Sequence, residues 1–332
     1  MNSTLDIIIT HYNEPDEVVR PQLDSIALQQ CVDFSKIGII IAHDGEENVP
    51  TALAEEYARK GMNIRALGFP HGGVSAVRNN GMKYALEEGA EYIMFCDCDD
   101  MFLSNLGLYI IFKEIEEGSF DVLIPTFIEE GRDSRGNLFL VPHSNDRCFV
   151  HGKVYNSKYL ADNGFQFNTL VRMHEDGCFN AVVTNMTSDV RLVDKAYYLW
   201  KWRDGSTVRY PLFILKTYGE LCKARMFIID ELLNRGNKMQ ACAYATMLLF
   251  DAYYTYNVYP RGESEDEESH LKCAMMCFAL FYNKYKYLID LMTPSSLSQI
   301  SSVARKQAVA EGLTMERITF KDWIALIKTM IA

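Results

Sequence analysis

Hydrophobic positions in the first two hundred residues alternate between short unbroken runs and runs with a helical period. The unbroken runs predict five buried strands, at Leu5–Thr10, Ile37–Ala42, Asn63–Gly68, Tyr92–Cys96 and Asp121–Phe127. The helical runs between them predict helices at Asp16–Gln30, Ala52–Lys60, Val74–Glu88 and Asn105–Glu117. Continuous apolar strands alternating with helices indicate an α/β fold, in which helices cover both faces of a mostly parallel sheet.

The hydrophobic pattern changes further along the chain. Residues 128–142 are typical of a hairpin, residues 156–185 return to a helical period, and Val190–Trp202 has the character of a strand. Beyond Tyr210 the pattern is helical, with predicted helices at 212–235, 238–257, 268–291, 296–312 and 320–331. Thr319 and Asp322 predict a cap for the last helix. We therefore expect an α/β domain over 1–210 and a C-terminal α-helical domain over 211–332, which binds the acceptor or mediates oligomerisation.

The net negative charge of the chain comes entirely from the predicted α/β domain. Residues 1–210 carry a net charge of −12 and residues 211–332 a net charge of +1, which together give the −11 of the whole chain. Nucleic-acid binding depends on clustered cations, so this balance disfavours a generic nucleic-acid-binding protein. An acidic domain fits a divalent-cation site, although a solvated acidic surface is the commoner cause.

Cysteine usage and hydropathy bear on the cellular compartment. The nine cysteines are scattered and form no C-x-x-C pair, which favours a reducing compartment and argues against a structural zinc site. No apolar run approaches the roughly 18 residues of a transmembrane helix, and the first residues lack the pattern of a secretory signal. The expectation is a cytoplasmic protein without a transmembrane segment.

Polar motifs follow three of the predicted strands, and one opens a helix. The sequence THYNEP follows the first strand, HDG the second and DCDD the fourth, while HGGVSAVRNNG leads into the helix that contains Arg78. Ligands of parallel α/β sheets bind beyond the carboxyl ends of the strands, where these motifs lie. A helix N-terminus with a nearby arginine suits an anionic group such as a diphosphate.

The acidic turn Asp97-Cys98-Asp99-Asp100 has two interpretations. Clustered carboxylates repel one another, and a bound Mg²⁺ or Mn²⁺ is the usual reason for such a cluster. Alternatively, the aspartates cap the helix that follows. The ordered strand-end motifs favour the metal.

These motifs, taken in order, resemble the family-two glycosyltransferases, which have the GT-A fold, a Rossmann-like α/β fold. The resemblance covers about residues 5–209 and rests on DIIITHYNEP, IAHDGEEN, GVSAVRNNGMKYALEEGAEYIMFCDCDD, VHGKVYNSKYLADNGFQF and MHEDGCF. It implies a nucleotide-sugar donor, with a UDP-sugar expected, a Mn²⁺ or Mg²⁺ cofactor, and inversion of the anomeric carbon in one displacement.

The resemblance also implies a role for each matching residue. Those expected to contact the donor are Thr10, Tyr12, Glu14, Asp44, Arg78, Asn79, Asp97 and Cys98. Tyr12 would stack on the base, Asp44 would accept a hydrogen bond from a ring N–H of the base, and Asp97 would contact the ribose. Asp99 would hold the metal. Asp176 would be the catalytic base, supported by Glu175.

Each assignment has a structural alternative. Tyr12 could fill a loop, Asp44 could belong to a turn before a glycine, and Glu175-Asp176 could be an acidic first helical turn. Lys153 could approach the acceptor or the diphosphate, but a surface lysine is the commoner case. The histidines are interpreted as structural because they show no metal-ligand spacing. Trp200 and Trp202 border either the donor sugar, the acceptor or the core.

Three functions are compatible with the sequence. The leading hypothesis is a metal-dependent inverting glycosyltransferase whose acceptor hydroxyl belongs to a polysaccharide, a teichoic-acid-like polymer, a protein or a nucleic-acid base, the last disfavoured by charge. The alternatives are a module that binds sugar nucleotides or glycans without turnover, and a nucleotidyltransferase. The latter would require a glycine-rich basic loop after the first strand, where this chain has THYNEP. Homo-oligomerisation through the C-terminal helices is a further expectation.

Overall fold

The computed structural model describes residues 3–133, 135–204, 216–258, 265–290, 294–310, 312–313, 315 and 318–330. Contacts divide the chain into two compact units, Met1–Ser206 and Thr207–Ala332. The predicted domain boundary at residue 210 lies outside the described residues. The first unit is an α/β unit and the second is helical.

The first half of the α/β unit is the parallel sheet that the sequence predicts. Its strands are β1 (Leu5–His11), β2 (Ile37–Asp44), β3 (Ile64–Phe69) and β4 (Tyr92–Asp97), which lie in the order β3-β2-β1-β4 and are all parallel. The helices are α1 (Asp16–Ala27), α2 (Thr51–Arg59), α3 (Val74–Glu87) and α4 (Gly107–Glu116). Every residue of β1 and β2 is buried, as expected for strands covered on both faces.

The second half of the sheet is mixed. It contains β5 (Met101–Phe102), β6 (Val122–Arg132), β7 (Leu138–His143), β8 (Val154–Asn156) and β9 (Val190–Trp200). Strand β8 lies between β4 and β6 and is antiparallel to both, whereas β6 and β9 are parallel. Strands β6 and β7 form the predicted hairpin, and β5 pairs with β9. The predicted α/β class is confirmed, and every antiparallel pair among the described strands includes a strand of this second half.

Helix α3 packs closely against the parallel sheet and thereby places its first turn at the strand ends. A Cβ atom at Gly81 would lie 2.7 Å from Cγ2 of Ile8 on β1 and 3.3 Å from Cβ of Ala42 on β2. A larger residue there would push the helix away from the sheet. Two further helices, α5 (Ser157–Asn163) and α6 (Glu175–Asn185), complete the described helices of this unit.

The second unit consists of helices in its described part, as predicted. They are α7 (Tyr218–Asn234), α8 (Lys238–Val258), α9 (Glu265–Asp290), α10 (Pro294–Ala310) and α11 (Phe320–Met330). The buried Trp323 of α11 packs against Tyr253 of α8 and Phe278 of α9. The predicted cap is present: the Thr319 hydroxyl donates to the Asp322 carboxylate at 2.7 Å and accepts from the Asp322 N–H at 3.2 Å.

Among the described residues, no helix is both long enough and apolar enough to cross a bilayer.

Candidate active site

A cavity of about 140 Å³ opens at the carboxyl ends of β1 and β2, beside the first turn of α3. It is lined by Thr10, His11, Tyr12, Glu14, Asp44, Val74 and Val77. Four of these residues are predicted donor contacts. They meet because parallel strands end at the same edge of the sheet, and the turns that follow those strands surround one space.

Tyr12 offers an aromatic ring at this cavity. Its side chain is 48% exposed and stacks on the ring of His71, with the ring centroids 5.2 Å apart. The backbone N–H of Tyr12 donates to the Glu14 carboxylate at 2.8 Å, which fixes the turn after β1. The ring is therefore held in place while a large part of its surface remains open to a planar ligand.

Asp44 fixes the loop that leads into α3. Its Oδ1 accepts from the Gly72 N–H at 2.8 Å, its Oδ2 accepts from the Gly73 N–H at 2.9 Å, and His71 Nδ1 lies 3.0 Å from Oδ2. Asp44 thus has a structural role, as in the alternative interpretation in which it belongs to a turn. Each carboxylate oxygen carries two lone pairs, so these contacts leave acceptor capacity for a ligand N–H.

The four residues of the DCDD turn occupy different environments. Asp97 Oδ1 accepts from the Thr10 hydroxyl at 3.0 Å and lies 2.8 Å from Nη2 of Arg78. Burial would raise the pKa of Asp97, but the Arg78 charge and the hydrogen bonds from Arg78 and Thr10 act together against it and hold that pKa below its usual range. Cys98 is buried between the aspartates, and burial raises the pKa of its thiol well above the ordinary value.

Asp99 and Asp100 point to different partners. Asp99 Oδ2 lies 3.1 Å from Nε of Arg203, and burial together with the Asp97 charge raises the pKa of Asp99. Asp100 is buried and accepts hydrogen bonds from the Tyr198 hydroxyl at 2.7 Å and the Lys201 N–H at 3.1 Å. Burial raises the pKa of Asp100 well above its ordinary value. Asp100 is therefore held in place within the turn by these two hydrogen bonds, whereas Asp99 remains partly accessible.

Arg78 joins the DCDD turn to the first turn of α6. Its guanidinium is 2% exposed and contacts Asp97 at 2.8 Å, Glu175 at 3.1 Å and Asp176 through a charge-assisted hydrogen bond. Asp176 Oδ2 also accepts from the Val150 N–H at 3.2 Å. Burial raises the pKa of Asp176 to about 7, against the opposing charge of Arg78. One cation thus serves three carboxylates, and Asp176 can exchange a proton near neutral pH.

Asn79, the residue after Arg78, makes two hydrogen bonds with the backbone of Phe167. Its Nδ2 donates to the Phe167 carbonyl at 2.9 Å and its Oδ1 accepts from the Phe167 N–H at 2.8 Å. The Phe167 ring in turn packs 5.4 Å from the Arg78 guanidinium. The contacts of Asn79 therefore fix the surroundings of Arg78.

Comparison with known proteins identifies the family. The sequence model of glycosyl transferase family 2 matches residues 6–175, which is more than half of the chain. The chain belongs to glycosyl transferase family 2. The match spans β1 to the start of α6 and so includes the DCDD turn and Arg78.

Relatives within and around this family agree with the match. The chain is 26% identical over 227 residues to the uncharacterized glycosyltransferase EpsJ of Bacillus subtilis, covering 62% of this chain and 63% of EpsJ. It is 32% identical over 219 residues to the minor teichoic acid biosynthesis protein GgaB of B. subtilis, covering 62% of this chain and 24% of GgaB. The matches therefore span less than two thirds of these relatives.

A solved structure shares the fold of this family-2 chain. The crystal structure of S. aureus TarS 1–349 in complex with UDP-GlcNAc superposes with a TM-score of 0.65 at 21% identity, covering 83% of this chain and 80% of that chain. The predicted fold class and the predicted family are both confirmed.

The donor groups of the family-2 chain suit a divalent cation. Ligand atoms of Asp97, Asp100 and His151 lie within 4.8 Å of one another, and Nδ1 of the buried His151 has no hydrogen-bond partner among the described residues. Burial lowers the pKa of His151 to about 3, so the imidazole is neutral and can offer a lone pair. Carboxylate oxygens and a neutral imidazole can together ligate a divalent cation, with Asp99 beside them.

The sequence pattern does not predict the positions of three residues near the site. His151 was grouped with the structural histidines. Lys153 was expected at the surface, but it is fully buried, donates to the Phe149 carbonyl and lies 3.3 Å from Asp146. Arg203 lies in the segment considered only for Trp200 and Trp202. For His151 and Lys153, the sequence does offer one indication of a functional role: they flank Gly152 within a segment that carries the family resemblance.

The tryptophans of that segment differ in their contacts. Trp200 packs against the rings of Phe149 and His151, with centroids 5.2 and 5.0 Å apart. The Trp202 backbone N–H donates to Glu130 at 2.9 Å, and its indole N–H donates to Asp204 at 3.1 Å. Trp200 thus belongs to the aromatic cluster around His151.

Proposed function

We propose that this chain is an inverting glycosyltransferase that moves a sugar from a nucleotide-sugar donor to an acceptor hydroxyl, with Asp176 as general base. The contact of Arg78 with both Asp97 and Asp176 carries the proposal. It links a residue of the donor turn to a carboxylate whose pKa of about 7 suits proton transfer. A chain that only bound a sugar nucleotide would not require that second carboxylate.

The chemical step needs one base. Asp176 accepts the proton of the acceptor hydroxyl while the oxygen of that hydroxyl attacks the anomeric carbon. The bond from the anomeric carbon to the diphosphate oxygen breaks, and its electron pair leaves with the nucleoside diphosphate. A single displacement inverts the anomeric carbon. Glu175 supports Asp176 because both carboxylates share Nη1 of Arg78.

The cavity at the ends of β1 and β2 is the proposed base and ribose subsite. Tyr12 would stack on the base, Asp44 would accept from a ring N–H, and Thr10 and Glu14 would line the pocket beside the ribose contact Asp97. Cys98, Arg78 and Asn79 complete the set by shaping the turn and its surroundings. Uracil offers a ring N–H to Asp44, and TarS, which shares the fold, binds UDP-GlcNAc. Both observations favour a UDP-sugar.

Asp99 is the proposed holder of a Mn²⁺ or Mg²⁺ ion, together with its acidic neighbours. Such an ion, when bound, stabilises the negative charge of the departing diphosphate. Nε of Arg203 lies 3.1 Å from Asp99 and partly neutralises its charge.

The acceptor is proposed to be a hydroxyl of a glycan or polymer. GgaB is named for minor teichoic acid biosynthesis, which supports a polymer of that class. The net charge of −12 over residues 1–210 disfavours a nucleic-acid acceptor. The helical unit is proposed to bind the acceptor or to mediate self-association.

Thermal unfolding with nucleotides tests the donor site. UDP, GDP and CDP are each added with and without Mn²⁺, to the natural chain, to Asp99→Asn and to Asp162→Asn, an exposed aspartate on α5. We expect a Mn²⁺-dependent rise in melting temperature with UDP, since a ligand at a hundredfold excess over its Kd stabilises by about 2.7 kcal/mol. Asp99→Asn should lose the Mn²⁺ dependence and Asp162→Asn should keep it. No shift with any nucleotide would refute the donor site.

Inversion has its own test. Slow transfer to water from a UDP-α-linked sugar is followed by proton NMR. The β-anomer should appear first, and initial release of the α-anomer would contradict the single displacement.

A further inference from the structure

Two buried histidines meet beneath the cavity. His11 on β1 and His43 on β2 are register partners in the parallel sheet, and both are at most 6% exposed. Their Nδ1 atoms are 2.8 Å apart, a hydrogen-bond distance, and their ring planes are inclined by 40°. His11 lines the cavity directly.

The remaining ring nitrogens fix the number of protons on this pair. His11 Nε2 lies 2.9 Å from the Glu14 carbonyl oxygen, and His43 Nε2 lies 2.8 Å from the Glu47 carbonyl oxygen. A carbonyl oxygen only accepts, so both Nε2 atoms must carry hydrogen. The contact between the two Nδ1 atoms needs one more proton, because two lone pairs would otherwise face each other. Three protons on two imidazoles make one of the rings an imidazolium.

We propose that His11 and His43 share one proton as a singly charged positioning pair for the base subsite. This inference rests on the proposed donor site. The pair holds the carbonyls of Glu14 and Glu47, which belong to the turns after β1 and β2. Those turns present Tyr12 and Asp44 to the cavity, so the shared proton ties the two walls of the subsite together.

The surroundings limit the pair to a single extra proton. Burial, and then the neighbouring His43, lower the pKa of His11, whereas the Glu14 carbonyl bond and the charges of Glu14 and Asp16 raise it. Burial therefore disfavours a second extra proton, and the single one lies between the two Nδ1 atoms. The other titratable groups of the flanking turns are Asp44, Glu46, Glu47 and His71. Asp44 is directed towards Gly72 and Gly73, which leaves the proton with the histidines.

Removal of the shared proton has a defined consequence. With two protons left, the pair can keep only two of its three hydrogen bonds, so either the Nδ1 contact or one carbonyl contact is lost. The turns after β1 and β2 then lose a common anchor. The base subsite should consequently bind more weakly as the pH rises through the titration of the pair.

The proton count is measured first, by nitrogen-15 NMR of the full chain labelled at histidine. We compare the natural chain with His43→Gln and with His143→Gln, a control whose histidine pairs with Glu129 on the β6–β7 hairpin. The expected spectrum at pH 6 shows hydrogen on both Nε2 atoms and one proton shared between the two Nδ1 atoms. Two neutral rings, or two fully protonated rings, would overturn the proposal.

The positioning role is measured next, from pH 6 to 8.5, by amide hydrogen exchange of residues 12–16 and 44–49 and by calorimetric binding of UDP. In the natural chain and in His143→Gln, the protection factors of these amides, which are corrected for the intrinsic rise of exchange with pH, should fall. UDP affinity should fall about tenfold, the effect of losing one charge-assisted hydrogen bond. In His43→Gln both quantities should be independent of the pair's titration. The titration of UDP itself is common to all three proteins and cancels in the comparison.

The outcomes separate this inference from the donor-site proposal. Equal pH dependence in the natural chain and in His43→Gln would overturn the positioning role. If UDP binds at no pH, the donor site is refuted, and amide exchange of the two turns alone decides whether the pair anchors them.

Discussion

Arg78 is the residue on which the two halves of the site depend. A fully buried guanidinium among three carboxylates is costly to desolvate, and removal of such a partner leaves uncompensated buried charge. Asp97 and Asp176 respond in opposite directions, with the pKa of Asp97 held low and that of Asp176 raised to about 7. The same cation therefore keeps one carboxylate ionised and leaves the other able to accept a proton.

The pH dependence of turnover follows from Asp176. The base must be ionised, so UDP release should rise with pH through an apparent pKa near 7. In Arg78→Met the opposing positive charge is gone, and this acidic limb should move to higher pH by more than about one unit. A pH–rate profile of UDP release measures the shift.

Arg78→Lys and a stability measurement complete this test. Lys restores one charge without the planar contacts and should return the limb only part of the way. Arg78→Met should also unfold more easily by about 3–5 kcal/mol, so profiles are recorded below its melting temperature. An acidic limb in Arg78→Met at or below the natural pH would show that Asp176 is not the titrating base.

Arg203 makes a prediction with an unusual sign. Its guanidinium lies 3.1 Å from Asp99 and 3.8 Å from Glu14, where it competes with a divalent cation for the same carboxylate. Arg203→Gln should therefore bind Mn²⁺ several-fold more tightly in the absence of nucleotide. Electron paramagnetic resonance of free Mn²⁺ measures the affinity. Arg59→Gln, an exposed arginine at the end of α2, should leave it unchanged, whereas weaker binding in Arg203→Gln would contradict the competition.

At the scale of elements, the loop between β3 and α3 is hydrogen-bonded to the end of β2. Gly72 and Gly73 donate to Asp44 at the end of β2, and Gly73 has φ 83° and ψ 175°, a conformation that favours glycine. A Cβ atom at Gly73 would meet nothing within 4 Å, so substitution acts through the backbone alone.

Gly73→Ala tests this loop. The strained backbone should cost about 1–3 kcal/mol of unfolding free energy and should weaken UDP binding, because Asp44 loses its geometry. Gly61→Ala is the matched control: Gly61 has φ 95°, also with nothing within 4 Å, and it follows α2 away from the cavity. It should lose stability without losing UDP affinity. Unchanged UDP affinity in Gly73→Ala would show that the loop does not shape the subsite.

The elements that the sequence predicts best are those with a repeated pattern. β1, β2 and α3 were placed to within about two residues because long apolar or helical runs leave a clear period. β5 and β8 contain two and three residues and have no period to detect, and the pairing of β8 between β4 and β6 depends on tertiary packing. In the mixed half of the sheet, the sequence pattern therefore predicts β6, β7 and β9 but neither the two short strands nor the order in which the strands pair.

The candidate site divides in the same way. Thr10, Tyr12, Glu14 and Asp44 could be grouped in advance, because the ends of parallel strands necessarily meet. His151 and Arg203 approach the DCDD turn from positions more than fifty residues further along the chain, so only folding brings them to it. The sequence motifs THYNEP and HDG do not predict the proton shared by His11 and His43, because that proton depends on how the two rings are oriented.

At the scale of the whole molecule, the family-2 match and the acidic charge lie in the same part of the chain. The match covers residues 6–175, and the excess of negative charge lies within residues 1–210. Residues 211–332 carry a net charge of +1 and lie outside the family match. The proposed donor site therefore lies largely within the family match, whereas the proposed role of the helical unit, acceptor binding or self-association, concerns residues outside it.

The central claim, that Asp176 is the base of a nucleotide-sugar transferase, is tested most directly by UDP release from UDP-sugars in the presence of Mn²⁺. The natural chain and Asp162→Asn should release UDP, while Asp176→Asn should be slower by about 10²–10⁴-fold and should still bind UDP to within about twofold. Turnover by Asp176→Asn at the natural rate would contradict the claim.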